Sequence, residues 1–133
     1  MKEQSAGGVI LKGDLVVVVA QQRNTYSLPK GHVEGDEEPL VTSYREIYEE
    51  TGLKKEDLIF VKKLETYTRP DGRSGAPKDI HMFLFTTKKE KLHPIDKENP
   101  DAKWVVIEKV SEKLTYKEDR EFFLRHIKEY KRI

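Results

Sequence analysis

Three carboxylates, Glu46, Glu49 and Glu50, stand three and four residues apart, the spacing that places side chains on one face of an α-helix. Left to themselves they are costly. The pairs Glu46/Glu49 and Glu46/Glu50 repel by roughly 0.2–0.5 kcal/mol each. In the second half of a helix the dipole adds a penalty of about 0.3–1 kcal/mol per exposed anion. A Glu50–Lys54 pair at i,i+4 could recover part of this. Such a face is either a solvated acidic surface, the commoner fate of charge runs, or a site for a hard cation. Carboxylates gathered around Mg²⁺ exchange their repulsion for coordination.

The carboxylates need a helix with defined ends, and Gly31 to Leu53 supplies one. Pro39 suits a first turn, where its missing N–H would have been unpaired anyway. Gly52 suits the stop, because glycine enters the left-handed terminal conformation cheaply. Between them Leu40, Tyr44, Ile47 and Thr51 recur at helical spacing as a core-facing stripe. The acidic trio therefore points elsewhere.

The pattern Gly31, five residues, Glu37, seven residues, Arg45-Glu46-Ile47, one residue, Glu49-Glu50, one residue, Gly52-Leu53 resembles the Nudix box at every defined position. The resemblance implies an α/β (α+β) fold, an α/β/α sandwich with a central mixed sheet. It implies hydrolysis of a pyrophosphate linkage in a nucleoside diphosphate joined to another group, with Mg²⁺ or Mn²⁺ as cofactor. Glu46, Glu49 and Glu50 become the metal ligands by this resemblance, Glu46 and Glu50 above all. Glu49 is then either a third ligand or the base that orients water. Gly31, Glu37, Arg45 and Gly52 take structural parts, Arg45 and Glu37 pairing across the loop–helix junction. The main-chain carbonyl of Lys30 is a further expected metal contact. A carboxylate from outside the box often completes such sites; Glu98 is the candidate, with Asp96 and Asp101 as rivals and a plain solvated Glu98 as the alternative.

Leu-Pro-Lys-Gly-His at Leu28–His32 resembles diadenosine tetraphosphate hydrolases of the bacterial and archaeal type. That resemblance implies asymmetric cleavage to ATP and AMP, with Lys30 and His32 as substrate contacts. Four phosphates and an adenine need basic and aromatic partners. Tyr67, Arg69, Arg73, Lys78 and His81 supply those types after the box, although a core position is an equal alternative for Tyr67. Tyr26 stands where many relatives have Trp. Other pyrophosphatase substrates remain open, among them nucleoside triphosphates, oxidised nucleotides and ADP-ribose. A non-catalytic nucleotide-binding module is a third reading, disfavoured by the intact acidic trio.

Composition sets the frame. The chain has 133 residues, 37% of them charged and 36% hydrophobic, with a formal net charge of +1. One domain spanning 1–133 is expected. A near-neutral balance offers no global field for a nucleic-acid polymer or an anionic membrane. There is no cysteine, which excludes disulfides and thiolate zinc sites. Met1 to Gly8 lacks a basic-then-apolar leader pattern, and Leu15 to Ala20 is too short to cross a bilayer. A cytoplasmic setting is the expectation.

Taken in order, Ser5–Leu11 and Leu15–Gln21 read as a hairpin around Lys12-Gly13-Asp14. The valine run of the second strand marks burial on both faces. Gln22–Pro29 reads as a polar lead-in, and Pro29-Lys30-Gly31 as a sharp turn. Leu58–Thr68, Ile80–Phe85 and Trp104–Ile107 read as strands, with a loop at Arg69–Lys78. Lys54–Asp57 is a turn, and Lys88–Ala102 is a charged connection. Glu108–Leu114 reads as a short helix. Lys117–Tyr130 reads as one amphipathic helix turning Phe122, Phe123, Ile127 and Tyr130 inward.

Overall fold

Val16 to Val19 alternate across a strand, and all four are buried. Val16 and Val18 enter one apolar core, Val17 and Val19 another. The fold is organised by this division. The computed structural model describes residues 2–21, 24–97 and 101–133.

The first strand, β1 (Glu3–Lys12), meets β2 (Leu15–Gln21) antiparallel only near the turn, through Leu11↔Val16 and Lys12↔Leu15. Beyond that the two strands part. β1 runs parallel to β6 (Pro77–Thr87), which pairs antiparallel with β5 (Leu58–Pro70). β2 pairs with β3 (Thr25–Ser27) and β7 (Asp101–Val106). The short β4 (Lys30–His32) lies antiparallel to β1, with Gly7 opposite Lys30 and Ser5 opposite His32. A mixed sheet results, as expected.

Helix α1 (Pro39–Thr51) covers one face, where Ile47 packs with Ala6, Ile10, Leu53 and Phe85. The other face is covered by α2 (Ile107–Lys113), α3 (Lys117–Arg125) and α4 (Ile127–Tyr130). Phe122, Phe123 and Tyr130 pack there against Val9, Leu84 and Met82. The expected single C-terminal helix is broken at His126, whose φ of −110° and ψ of 9° leave the helical range. Its ring nitrogens lie 3.0 Å from Glu65 and 3.0 Å from Glu129. Those tertiary contacts accompany the break, which propensity did not signal.

The polar lead-in also departs from its expected irregularity. Thr25–Ser27 and Lys30–His32 are strands because β2 and β1 offer free edges beyond the hairpin tip. Lys30 and Gly31 consequently sit on the sheet instead of in an open turn. The Lys54–Asp57 turn closes as a 3-10 turn over Lys55–Asp57.

Helix α1 ends as its sequence dictates. Gly52 has φ 81°, and its N–H donates to the Tyr48 carbonyl. The chain after β6 then folds back over this end. The N–H of His93 donates to the Thr51 carbonyl at 2.7 Å, and those of Ile95 and Asp96 donate to Glu49 at 2.9 Å. Terminal helix carbonyls otherwise lack partners, so these bonds fix both the helix end and the course of residues 93–96.

Candidate active site

Glu46 and Glu50 stand one turn apart on α1, facing β4. The approach is close: a Cβ on Gly31 would overlap the Glu46 carboxylate, so any other residue there would displace that carboxylate. Glu50 is only 3% exposed, so it is no part of a solvated acidic surface. Its Oε1 accepts from the Gln21 side chain at 3.2 Å and from the Lys30 main-chain N–H at 3.4 Å. Helix α1 stops at Thr51, so Lys54 is no part of it, and the Glu50 carboxylate turns to β2 and β4 instead.

Arg45 organises the near side. Its Nε and one terminal nitrogen form a fork on Glu37 at 2.8 and 2.9 Å. The guanidinium also reaches the His32 carbonyl at 2.9 Å, Glu46 at 2.9 Å and Glu49 at 3.4 Å. Glu37 in turn accepts from the Thr42 hydroxyl and the Glu34 N–H. Hydrogen bonds from Arg45 and the Glu34 N–H hold its carboxyl down to about 2. Loop, β4 and helix are thereby joined by one planar cation, a task for which a lysine lacks the geometry.

Glu46 and Glu50 share one cleft of about 650 Å³ with Lys30, His32, Arg69, Arg73, Lys78, Asp71, Asp96 and Tyr116. Its lining thus combines carboxylates with several cations. Burial, followed by the neighbouring Glu49, pushes the Glu46 carboxyl up to about 7. Burial and the charge of Glu46 push Glu50 well above the usual carboxylate range. Two like charges held apart from water make ionisation costly, and an oxygen-only donor set in that condition fits a hard divalent cation. Glu46, Glu50, Glu49 and the carbonyl of Lys30 could hold one. Among the described residues, Glu3, His32 and Asp71 also bring one ligand atom each within 4.8 Å of one another at the cleft's edge.

The remaining expected residues divide. Lys30, His32, Arg69 and Lys78 line the cleft. Lys30 is buried, its Nζ 3.3 Å from Asp119, and burial pulls its ammonium below the usual lysine range. Lys78 is 3.4 Å from Asp71. Tyr67 is no platform for a base, being 7% exposed and stacked on Phe122 at 4.5 Å in the core. His81 lies outside the cleft, its ring nitrogens against Gln4 at 2.6 Å and Thr66 at 3.2 Å. Asp96 lines the cleft, Asp101 is exposed on β7 opposite Ala20, and Glu98 lies outside the described residues.

Gln21, Asp71, Tyr116 and Asp119 went unread in the sequence. Tyr116 caps α3 and lies under the Arg69 guanidinium, 4.0 Å from ring centroid to Cζ. Asp119 precedes Phe122 and Phe123 by three and four residues. Helical spacing thus put it on the buried face, and that signal could have found it.

The NUDIX domain model matches residues 1–126. The chain belongs to the Nudix family. A Mycobacterium tuberculosis protein named as mutator protein MutT4 is 32% identical over 129 residues, 89% of this chain and 52% of that protein. The Nudix chain thus spans about half the length of that relative. A Caenorhabditis elegans Ap4A hydrolase structure is 25% identical with a TM-score of 0.77, covering 98% of both chains. A NUDIX hydrolase from Nitrosomonas europaea is 17% identical with a TM-score of 0.82, covering 98% of this chain and 91% of that one, a likeness of fold alone. Among the described residues, no helix is long and apolar enough to cross a membrane.

Proposed function

We propose that this Nudix domain cleaves diadenosine tetraphosphate asymmetrically to ATP and AMP, with Mg²⁺ or Mn²⁺ held by Glu46, Glu50 and the Lys30 carbonyl. One observation carries the reading: the acidic pair Glu46/Glu50 and the cations Lys30, Arg69, Arg73 and Lys78 line the same cleft. A polyphosphate brings several negative charges that these cations can receive, while the carboxylates can hold the metal ions it needs. The Leu28–His32 pattern and the likeness to a C. elegans Ap4A hydrolase at 25% identity support the choice of substrate.

A bound divalent cation supplies charge neutralisation at the phosphoryl oxygens and a lower pKa for a nearby water. The protein's own groups do the rest. Arg69, Arg73 and Lys78 receive the phosphates and fix their register. A water oxygen bonds to one phosphorus while the bridging oxygen leaves with the electron pair. The water proton passes to a carboxylate, for which Glu49, 36% exposed beside Arg45, is the candidate. Asp96, held at the α1 terminus through its own N–H, is the carboxylate from outside the box.

A second reading, a pyrophosphatase for nucleoside triphosphates including oxidised ones, is supported by the 32% identity to a protein named as a mutator protein. Initial rates with Mg²⁺ on diadenosine tetraphosphate, nucleoside triphosphates and ADP-ribose separate the two. The first reading expects ATP plus AMP to form fastest; faster loss of a triphosphate refutes it in favour of the second.

A further inference from the structure

Asp119 is 0% exposed, in the first turn of α3, outside the Nudix box. A carboxylate so fully removed from water persists only when its oxygens are occupied. One oxygen lies 3.3 Å from the Lys30 ammonium. The other accepts from the Tyr67 hydroxyl at 2.5 Å and lies 3.4 Å from Arg69 Nε. These partners come from β4 and β5.

Three cations line the cleft with little exposure, Lys30 and Arg69 at 7% and Lys78 at 8%; Lys78 pairs with Asp71, and the other two pair with Asp119. Neither has another carboxylate ion partner among the described residues. Arg69 is fixed from its other side by the ring of Tyr116, three residues before Asp119 on the same segment. Lys30 continues the linkage, since its main-chain N–H donates to Glu50. A chain of contacts thus runs from α3 through Lys30 to the acidic helix.

We propose that Asp119 is the positioning residue for two of the cleft's three buried cations, holding Lys30 and Arg69 where they meet the substrate's phosphates. This rests on the reading of the cleft as a polyphosphate site. Asp119 touches no substrate itself. Its effect falls on binding: cations that engage the phosphates alike in ground and transition states change KM more than kcat.

The test is Asp119→Asn, which keeps the shape and removes the charge, assayed on diadenosine tetraphosphate with Mg²⁺ alongside circular dichroism. We expect KM to rise about tenfold or more while kcat per folded molecule changes less than about threefold. A merely structural Asp119 would lower the melting temperature and the folded fraction and leave KM alone; that result overturns the proposal. If Asp119→Asn does not fold, Tyr67→Phe decides, because it removes one bond to Asp119 and keeps the ring on Phe122. A KM rise of about threefold supports the proposal, and an unchanged KM refutes it. Binding of inorganic tripolyphosphate to the wild type, followed by calorimetry with Mg²⁺, separates the layers. If the wild type neither binds it nor turns over the dinucleotide, the polyphosphate reading fails and this inference with it.

Discussion

Gly52→Ala probes the junction on which the site's geometry depends, and the structure contains its own control. Gly52 and Gly35 both have positive φ, 81° and 52°. Around Gly35 a Cβ meets nothing within 4 Å, whereas at Gly52 it would overlap the His93 carbonyl. The left-handed conformation costs alanine about 1–2 kcal/mol, offset by about 0.4–1 kcal/mol from restricting the unfolded chain. Gly35→Ala should therefore destabilise by about 1 kcal/mol. Gly52→Ala adds a steric cost of about 1–3 kcal/mol, for about 2–4 kcal/mol in all. At this chain length that is a fall of roughly 10 °C in Tm. The displaced segment carries Asp96 toward or away from the cleft, so activity should fall as well. Urea unfolding of both variants checks the sizes. Equal destabilisation by the two would refute the claim that His93 packs on the helix end.

Glu50→Gln should lower turnover by about 100-fold or more, yet raise the Tm of the metal-free protein, because it removes one of two buried like charges; calorimetry without metal reads the second effect. Arg45→Met should lose its stability cost in acid. Glu37 is held near 2 against an ordinary 4.5, so its contribution is complete above the ordinary value and disappears as pH falls toward 2. The gap between wild type and variant in urea should narrow across that window, and a constant gap would contradict the pairing. Glu46, pushed up to about 7, has the opposite sign. The metal-free protein should lose stability as pH rises from 4.5 to about 7, and Mg²⁺ should raise Tm more at pH 8 than at pH 5. An equal Mg²⁺ effect at both would argue against these carboxylates as the ligands.

The sequence revealed most where a rule is local. Pro39 and Gly52 marked the ends of α1, and the valine run marked a strand buried on both faces, because caps and side-chain period are properties of a few neighbouring residues. The Glu46/Glu49/Glu50 spacing put the acidic face on one side of that helix for the same reason. What stayed hidden was tertiary. β3 and β4 exist because β2 and β1 diverge beyond their turn, and no propensity in Gln22–Pro29 carries that information. Glu50 is buried because β4 closes over α1, which Gly31 permits. Tyr67 looked as suited to a base as to the core, and only its stacking on Phe122 separates the two. Lys30 read as a free phosphate contact until its partner Asp119, 89 residues away, was in place.

The central claim is cation-dependent hydrolysis of a phosphoric anhydride by the acidic face of α1. The most direct measurement is turnover of diadenosine tetraphosphate by wild type and Glu50→Gln across a Mg²⁺ titration, with products separated by chromatography. The wild type should yield ATP and AMP, saturating with Mg²⁺ and abolished by chelator, with almost none from folded Glu50→Gln. Undiminished turnover in chelator, or near-normal turnover by Glu50→Gln, would contradict that claim.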